Sequence, residues 1–505
     1  MSETFNAATW LLDRRIDSGD GDRIAIRCGG RSFTYGEVLA QVEQIAGALR
    51  AAGVQPEERV PMVMLDSVEF VAVFLGAMRI GAVPLPINPL LPGRDLGVIV
   101  ADARARIAFI SEQRIASLAD LRSGAPELTT VISTGHARDG AIAWSEFAAH
   151  AVDGSPYETW AESPGFWLCT SGSTGQPKLA MHRHDDIRTV CENYGHGVLG
   201  IAPDDRCYSV GPMFHAYGIG NSMFFAFSVG ASVVLDPTRP PTPALVAANV
   251  ASEQPTLFFC IPTFYAALVG SDLPDNAFAS VRHAVSAAER LPAETFERFR
   301  SRFGVTILDG IGSTEMLHIY LSNTPGKIKA GTSGVAVPGY SVRVDDESGN
   351  DQPDGVPGQL LAKGASMAVG YWCRADTSRR TFVGDWMHTG DLYERDDEGF
   401  HTYLGRVDDM LRVGGEWVSP AEVESVLIEH PTVLEAAVVG EPGDNGSLRP
   451  VAFVVAARDT AVVVGELEEH CRARLAGYKR PKRYVLVDEL PKTVTGKIQR
   501  FKLRQ

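Results

Sequence analysis

The sequence predicts an α/β protein with mainly parallel sheets, and two observations support this prediction. Short β-branched runs alternate with amphipathic stretches through most of the 505 residues, as in proteins where strands and helices alternate. The strand-like runs include 60–64, 107–110, 232–235 and 257–260, and the helix-like stretches include 35–52 and 292–303. From about Gly331 the chain changes to short strands and turns, which predicts a small barrel or β-rich subdomain.

The composition is that of a globular protein of about three domains. Hydrophobic residues make up 45% and charged residues 22%, so a sizeable core can be buried. Lys and Arg number 47 against 62 Asp and Glu, which gives a net charge of −15. Because an acidic surface repels phosphate polymers and anionic lipid, neither nucleic acid nor a membrane is expected as a partner. A phosphate ligand therefore needs backbone amides and a few placed cations.

Cysteine usage and the first residues predict a cytoplasmic protein. The seven cysteines are scattered and none forms a C-x-x-C pair, which fits reduced thiols. The sequence starts Met-Ser-Glu-Thr-Phe, without a basic region followed by an apolar run, so no secretion signal is expected. The apolar stretch 70–78 ends at Arg79, too soon to cross a membrane, and predicts a buried helix.

A second, α+β domain is predicted after residues 405–409. Ser419 is suited to a helix cap, Pro420 to the first helical position, and Glu422 stands three residues beyond the cap. Strand-like residues 436–439 and 452–455 follow, and then a helix near 464–475. Together they predict a module of about 100 residues, the usual size of a small domain.

The most informative stretch is a loop at 170–178 with two glycines, four hydroxyl side chains and a lysine. Such a loop can surround phosphate oxygens with amide and hydroxyl donors, and Lys178 adds a point charge. The Walker A pattern fails, because Pro177 precedes the lysine and Leu179 replaces the Ser or Thr that would hold magnesium. The candidate phosphate contacts are Thr170, Ser171, Gly172, Ser173, Thr174, Gly175 and Lys178.

Two other patterns are interpreted as ordinary structure. Residues 195–200 match G-x-G-x-x-G, but that dinucleotide fingerprint must follow a strand and open a helix. The preceding residues look helical, so a helix end and a turn are predicted, and a nicotinamide-dependent oxidoreductase is a remote alternative. The cluster 182–186 has Arg183 between its histidines, so it predicts a helix start beside the loop rather than a metal site.

Three further segments suit a nucleotide. In residues 309–315 a carboxylate and hydroxyls follow a strand, and Glu315 is a candidate magnesium ligand, because a carboxylate beside polyphosphate needs a cation between them. Residues 386–391 end in Asp391, which can accept hydrogen bonds from both hydroxyls of a ribose. Lys497 follows a glycine near the C-terminus.

Taken in this order, and with the segment 405–409, these elements resemble the adenylate-forming superfamily: acyl- and aryl-CoA synthetases, peptide-synthetase adenylation domains and firefly luciferase. The resemblance covers essentially the whole chain, from 33–36 to 500–504. It implies a large N-terminal domain of two α/β subdomains and a β-barrel, residues 1–407, which holds the ATP and acid sites. It also implies a small mobile α+β C-terminal domain, residues 408–505, with Asp408 as the hinge.

The resemblance also implies residue roles. The loop meets the β- and γ-phosphates, Thr314 the α-phosphate and Glu315 the magnesium ion, and Lys497 bridges the carboxylate and α-phosphate during adenylation. Ile311 departs from the family's usual aromatic residue, and Leu179 from its usual glycine. The implied adenine and ribose contacts are Ser286, Ala287, Ala288, Asp309, Gly310, Ile311, Asp391 and Arg406.

Residues 216–222, 309–319 and 497–504 resemble the benzoate-CoA ligase branch. By that resemblance, Tyr217 offers a π-face to an aryl ring, Ile319 an apolar wall and His318 a polar edge. His215 stands where that branch has a phenyl side chain. It is predicted to be a catalytic residue that gates the acid site, or to indicate an amino- or hydroxy-substituted benzoate as substrate. The implied substrate contacts are Ala216, Tyr217, Gly218, Gly312, His318 and Ile319.

The implied function is an ATP-dependent aryl acid ligase that adenylates benzoate, or a hydroxy- or aminobenzoate, and transfers the acyl group to CoA. ATP, Mg²⁺ and CoA are the expected cofactors, and a domain rotation replaces Lys497 with the thiol tunnel of Gly414, Gly415 and Glu416. A close alternative transfers the acyl group to the phosphopantetheine of an acyl carrier protein. The sequence is compatible with a homodimer.

Overall fold

The computed structural model describes residues 3–171, 177–413, 416–443, 448–457, 462–491 and 498–504. Its strands, in chain order, are β1 (Ile24–Cys28), β2 (Arg31–Thr34), β3 (Arg59–Val63), β4 (Val83–Pro86), β5 (Ile107–Ile110), β6 (Thr130–Ser133), β7 (Ile142–Ala143), β8 (Pro164–Ser171), β9 (Pro177–Arg183), β10 (Arg206–Ser209), β11 (Ser232–Leu235), β12 (Leu257–Cys260), β13 (His283–Ser286), β14 (Ile307–Gly312), β15 (Ile319–Ser322), β16 (Val335–Ala336), β17 (Tyr340–Asp345), β18 (Gly358–Gly364), β19 (Phe382–Val383), β20 (Trp386–Arg395), β21 (His401–Arg406), β22 (Leu411–Val413), β23 (Glu416–Val418), β24 (Val433–Pro442), β25 (Leu448–Ala456) and β26 (Arg483–Leu486).

The α-helices of the same described residues are α1 (Ala7–Leu11), α2 (Asp13–Asp17), α3 (Tyr35–Ala51), α4 (Val68–Arg79), α5 (Gly93–Asp102), α6 (Leu118–Gly124), α7 (Trp144–Ala149), α8 (His184–Val190), α9 (Ala216–Ile219), α10 (Phe225–Val229), α11 (Pro243–Glu253), α12 (Pro262–Val269), α13 (Ala293–Phe303), α14 (Ala375–Thr381), α15 (Pro420–Ile428) and α16 (Val464–Arg474).

The chain divides into two compact units. The first comprises Met1–Val342 with Ala362–Met387, and the second Arg343–Leu361 with His388–Gln505. The first unit contains both large parallel sheets, so the predicted α/β class is confirmed. The predicted boundary at Asp408 is a hinge for domain rotation, which is a different property from compactness. It therefore stays a prediction.

The largest sheet of the first unit has nine strands in the order β16-β15-β14-β13-β12-β10-β11-β1-β2. The six strands from β14 to β1 are parallel, and antiparallel strands lie at both edges. Helices α11, α12 and α13 contribute to the core beside these strands through residues such as Val250, Tyr265 and Phe299. Because parallel strands end at the same edge, the turns after β10, β12, β13 and β14 lie together there.

A second parallel sheet in the first unit has the order β4-β3-β5-β6-β7. Helix α4 lies nearby in the chain and contains the apolar stretch 70–78. The Ser67 hydroxyl caps this helix by accepting from the Phe70 N–H, and almost every residue of the helix is buried. The predicted buried helix is therefore confirmed. Within the described ranges, every helix is too short or too polar to span a bilayer.

Most local elements lie where the sequence predicts them. Three of the predicted strands coincide with β5, β11 and β12, and the helix predicted over 35–52 is α3. Thr34 and Glu37 form a capping box at the start of α3. The β-rich segment after Gly331 contains the five-stranded sheet of β17 to β21. The segment 195–200 follows α8 through a wider helical turn, Cys191–His196, so the predicted helix end is confirmed.

The second unit contains the predicted α+β module. Ser419 caps α15 by accepting a hydrogen bond from the Glu422 N–H, and Pro420 occupies the first turn, as predicted. Strands β24, β25 and β26 form one sheet. Apolar residues of α15, α16 and this sheet, including Leu427, Val438 and Leu467, form its core.

Candidate active site

The predicted phosphate loop connects the two strands of a hairpin. Strands β8 and β9 are antiparallel, with Thr170 opposite Lys178 and Ser171 opposite Pro177. The Lys178 ammonium lies 4.7 Å from the centre of the Tyr371 ring, within the range of a cation–π contact. The hairpin therefore aligns the two ends of the loop. Four predicted contacts lie outside the described residues: Gly172, Ser173, Thr174 and Gly175.

A second hairpin carries eight of the predicted residues. Strand β14 ends at Gly312, a 3₁₀ turn spans Thr314–Met316, and β15 begins at Ile319. A Cβ on Gly312 would lie 2.5 Å from the His318 carbonyl oxygen, so the close approach of the two strands requires glycine here. The eight residues are Asp309, Gly310, Ile311, Gly312, Thr314, Glu315, His318 and Ile319.

Glu315 and Lys178 meet at one tyrosine. The Tyr371 hydroxyl donates a hydrogen bond of 2.6 Å to Glu315 Oε1, and the face of the same ring contacts Lys178. The Ala368 N–H donates to the Glu315 carbonyl at 2.8 Å. The structure thus brings the predicted phosphate lysine and the predicted metal ligand together. Sequence reasoning missed Tyr371, which stands 56 residues from Glu315 and belongs to none of the motifs above.

The predicted adenine contacts lie at the ends of two neighbouring strands. Ser286 ends β13 and pairs in register with Asp309 of β14. Ala287 follows, and then Ala288, whose φ of 76° lies in the left-handed region that favours glycine. Burial raises the pKa of the Asp309 carboxyl to about 8. At pH 7 this carboxyl is therefore protonated in most molecules and can donate a hydrogen bond.

The predicted ribose contacts pair with each other in the second unit. Asp391 of β20 lies opposite Arg406 of β21. The Arg406 guanidinium donates to Asp391 Oδ1 at 2.9 Å and to the Thr389 carbonyl at 2.8 Å. Gly390 has φ of 73°, and a Cβ there would lie 2.6 Å from the same guanidinium. The glycine therefore allows Arg406 to approach the backbone beside Asp391.

The predicted aryl contacts include two stacked rings. The centres of Tyr217 and His318 are 5.6 Å apart, with 25° between the planes. The Tyr217 hydroxyl donates to the Val285 carbonyl at 3.0 Å, and His318 Nε2 lies 3.2 Å from Asn221 Oδ1. Burial lowers the pKa of His318 to about 3, so its ring is neutral at physiological pH. His318 is buried in this stack, whereas Tyr217 is partly exposed.

The turn around Tyr217 carries His215 and the remaining predicted aryl contacts of this segment. Helix α9 begins at Ala216, directly after His215. A Cβ on Gly218 would collide with the Pro212 carbonyl, so the turn requires glycine at this position. The half-buried His215 ring lies against Phe214, with 4.5 Å between ring centres. The role of His215 as a gate or as a sign of a ring substituent stays a prediction.

A buried histidine connects the first hairpin to the turn Thr314–Met316, which we call the Thr314 turn. His182 of β9 has Nε2 at 2.8 Å from the Thr314 carbonyl and Nδ1 at 2.8 Å from Asp186 Oδ2. Helix α8 begins at His184, so the predicted helix start is confirmed. The link to Thr314 was missed, because the two residues are 132 positions apart.

Five further predicted residues are not placed in a site by the structure. Lys497, Gly414 and Gly415 lie outside the described residues. The backbone of Asp408 is part of the 3₁₀ turn Val407–Asp409, and Glu416 begins β23. Their assigned roles, with Asp408 as hinge, stay predictions.

Family models match both parts of the chain. The model "AMP-binding enzyme" matches residues 13–372, and "AMP-binding enzyme C-terminal domain" matches residues 422–497. The chain belongs to the AMP-binding enzyme family. The predicted superfamily is therefore confirmed, and the oxidoreductase alternative is wrong.

Relatives of this AMP-binding enzyme align along its whole length. Benzoate–CoA ligase of Thauera aromatica is 42% identical over 513 residues, covering 100% of this chain and 96% of the relative. The 4-hydroxybenzoate–CoA/benzoate–CoA ligase of Rhodopseudomonas palustris is 39% identical, covering 99% of this chain and 94% of the relative.

Solved structures share the fold of the AMP-binding enzyme. The anthranilate CoA ligase AuaEII in complex with anthranoyl-AMP superposes with a TM-score of 0.94 at 35% identity, covering 100% of this chain and 97% of that one. A benzoate CoA ligase from Burkholderia xenovorans LB400 gives a TM-score of 0.91 at 40% identity, covering 99% and 100%. The predicted fold, a large N-terminal and a smaller C-terminal domain, is confirmed by these neighbours.

Glu315 suits the magnesium ion that the resemblance implies. The hydrogen bond from Tyr371 engages Oε1, so Oε2 is the oxygen that would bind the ion. In the part of the chain that the structure describes, no group of three or more His, Cys, Asp or Glu side chains is arranged to hold a metal. Magnesium binds through one or two carboxylates, with phosphate oxygens and water completing its shell. One glutamate beside bound phosphates therefore fits this ion.

Proposed function

We propose that this enzyme is an ATP-dependent aryl-CoA ligase that activates benzoate or a hydroxy- or aminobenzoate. The observation that carries the proposal is the stacked pair of Tyr217 and His318. His318 shares its hairpin with Thr314 and Glu315, so residues proposed for the aryl acid and for the phosphates lie on one element. The aryl–CoA ligases among the relatives support the same substrate class.

The first half-reaction makes an aryl-adenylate. A carboxylate oxygen forms a bond to the ATP α-phosphorus, the bond from that phosphorus to the bridging oxygen breaks, and pyrophosphate leaves. Lys178 and the loop hold the β- and γ-phosphates, and Thr314 meets the α-phosphate. Glu315 and the phosphates would hold a magnesium ion, which would offset negative charge on the reacting groups. Catalysis here is mainly positioning and electrostatic stabilisation.

Three further groups complete the adenylation site in this proposal. Asp391, oriented by Arg406, accepts hydrogen bonds from the ribose hydroxyls. The Ser286–Ala288 turn and residues 309–311 line the adenine. Lys497 bridges the aryl carboxylate and the α-phosphate, where it reduces the repulsion between two anions.

The second half-reaction transfers the aryl group to CoA. The thiol gives up its proton, its sulfur bonds to the adenylate carbonyl, and AMP leaves with the electron pair of the broken carbon–oxygen bond. Lys497 is needed only in the first step, so a rotation of residues 408–505 about Asp408 can remove it. That rotation brings Gly414, Gly415 and Glu416 to the pantetheine tunnel.

A carrier protein is the second candidate acceptor. The p-hydroxybenzoic acid–AMP ligase FadD22 of Mycobacterium tuberculosis is 32% identical over 99% of this chain. Its name describes an AMP ligase and mentions no transfer to CoA. This chain covers 69% of that relative. The alternative reaction is loading of carrier-protein phosphopantetheine from the same adenylate. A homodimer is compatible with either acceptor.

The acceptor and the acid are tested together. The enzyme is incubated with Mg²⁺, ATP, CoA and benzoate, salicylate, anthranilate or 4-hydroxybenzoate, and pyrophosphate, AMP and thioester are quantified. We expect equal amounts of AMP and aryl-CoA with at least one of these acids. Adenylate without thioester would favour the carrier-protein reaction, and no pyrophosphate with any aryl acid would refute the proposed function.

A further inference from the structure

We propose that His182 is a positioning residue for adenylation, a doubly protonated ring that holds the Thr314 turn in place. The inference rests on the proposed function, because Thr314 and Glu315 meet the α-phosphate and the magnesium ion there. His182 itself touches neither ATP nor the acid in that proposal, and it acts through the backbone of the turn.

The Thr314 turn depends on partners from outside it. It is three residues long, and Leu317 after it has φ of 66°, an unfavourable conformation for a residue with a side chain. Besides the local hydrogen bond from the Leu317 N–H to the Thr314 carbonyl at 3.1 Å, the carbonyls of such a short turn need donors from elsewhere in the fold. All three carbonyls of this turn accept a hydrogen bond at 2.8 Å, and the donors in order are His182 Nε2, the Ala368 N–H and the Ser366 hydroxyl.

The hydrogen-bond partners of His182 require a proton on each ring nitrogen. A backbone carbonyl only accepts, so Nε2 carries a proton. Nδ1 faces Asp186, and this carboxylate also accepts from the Arg183 N–H at 3.1 Å and from its guanidinium at 2.8 and 3.1 Å. The Asp186 oxygens accept from all of these donors, so the Nδ1 that faces Oδ2 at 2.8 Å is inferred to carry the second proton.

The charge of the ring is buried and balanced. The side chains of His182 and Asp186 are both 0% exposed. Arg183 pairs with Asp186 at 2.8 Å and with Glu162 at 2.9 Å, so two cations face two carboxylates. The Phe166 ring lies nearly parallel to His182, with 5.1 Å between centres and 14° between planes, which presents a π-face to the cation.

His182 is the only charged donor among the three that hold the turn. Charge-assisted hydrogen bonds are roughly twice as strong as neutral ones. This hydrogen bond holds the Thr314 carbonyl, which belongs to the peptide bond between Thr314 and Glu315. Tyr371 orients the Glu315 carboxylate. Loss of the ring therefore leaves every group that meets ATP present but less well placed.

The charge of the ring is tested by NMR, independently of activity. In protein labelled with ¹⁵N in its histidine rings, the His182→Gln variant identifies the His182 signals by their loss. Two nitrogens, each with a directly bonded proton at pH 7.5, would support the proposal. A ring with only one such proton would overturn it, whatever the activity of the enzyme.

The positioning role is tested by separating the half-reactions. We expect His182→Gln and His182→Leu to raise the KM for Mg²⁺ and lower the kcat of adenylation by about 10- to 100-fold, with the larger loss in Leu. Thioester formation from preformed benzoyl-adenylate should fall less than adenylation, because that step keeps the α-phosphate contact of Thr314 but uses neither Mg²⁺ nor the β- and γ-phosphates.

His184→Gln is the matched control. His184 is also buried, but its Nδ1 accepts from the Ala7 N–H at 3.1 Å, away from the Thr314 turn. It should keep the wild-type KM for Mg²⁺. Equal kinetic effects of the His182 and His184 substitutions would overturn the positioning role. A wild-type enzyme that forms no adenylate would refute the proposed function, while the NMR result still decides the charge of His182.

Discussion

The Tyr371 hydroxyl lies 2.6 Å from Glu315 Oε1 and donates a hydrogen bond to it. The same ring contacts the Lys178 ammonium. One aromatic side chain therefore orients a carboxylate that suits magnesium and a lysine that suits phosphate, although none of the three residues is adjacent to another in the sequence.

The substitution Tyr371→Phe tests this relationship. It removes the hydrogen bond to Glu315 but keeps the ring beside Lys178, so we expect the KM for Mg²⁺ in adenylation to rise about 10-fold. Tyr371→Leu removes both contacts and should lose more activity. Pyrophosphate release is followed during a Mg²⁺ titration at saturating ATP. A Tyr371→Phe enzyme that titrates like wild type would show that the hydrogen bond has no such role.

Lys497→Ala separates the two half-reactions. The lysine is assigned to the adenylation state alone, so we expect the adenylation rate to fall by about 100- to 1,000-fold. Thioester formation from preformed benzoyl-adenylate and CoA should remain at the wild-type rate. Lys492→Ala, in the same segment, serves as the control for loss of a positive charge. Equal loss in both half-reactions would refute the assigned role of Lys497.

Paired substitutions at Tyr217 test the aryl site. Tyr217→Phe keeps the π-face and removes the hydroxyl that donates to the Val285 carbonyl, so KM for benzoate should change little. Tyr217→Leu removes the π-face, and an aromatic pair contributes about 0.5–1.5 kcal/mol, which corresponds to a rise in KM of about 2- to 10-fold. The ratio of the two KM values isolates the stacking contribution. Identical KM values in both variants would place the aryl ring elsewhere.

Asp391→Asn tests the ribose contact. The Asp391 carboxylate is held by Arg406 and is assigned to both ribose hydroxyls, so wild type should prefer ATP over 2′-deoxyATP. Hydrogen bonds to a charged group contribute about 1.5–3 kcal/mol, so this preference in kcat/KM should be about 10- to 100-fold. The preference should shrink in the variant. If both enzymes discriminate equally, another residue holds the 2′-hydroxyl.

Acid should destabilise the fold through His184. Burial lowers the pKa of this histidine from its usual 6.5 to about 4. Between these values the unfolded state binds more protons than the folded state, so stability is fully present above pH 6.5 and falls as the pH is lowered. The loss from pH 6.5 to 5 should be about 2 kcal/mol for this residue.

Urea unfolding at pH 7.5 and at pH 5 measures this effect. The His184→Gln variant lacks the titrating ring, so its loss of stability on acidification should be smaller than that of wild type by the amount attributed to His184. His318 stays in both proteins and cancels in the comparison. An equal loss in wild type and variant would contradict the assignment.

Local signals predicted the local elements well. The residues of β12 are apolar and continuous, and Ser419 with Pro420 begins α15, because strand formation and helix capping depend on near neighbours. The loop at 170–178 and Glu315 were likewise predictable, since their chemistry is concentrated in short segments. Contacts across the fold were not, because two sheets and their connections must first bring the residues together.

The α/β class, the order of motifs and the family of this protein could be assigned from the amino-acid sequence, because periodicity, caps and short motifs depend on neighbouring residues. The folded structure was needed to show that Tyr371 contacts Glu315, that His182 contacts the Thr314 carbonyl, and that His318 is buried. The folded structure also shows why the two rings differ in their surroundings. His318 is neutral because burial removes water from it, whereas His182 is equally buried but faces a carboxylate and a carbonyl that both require a donor.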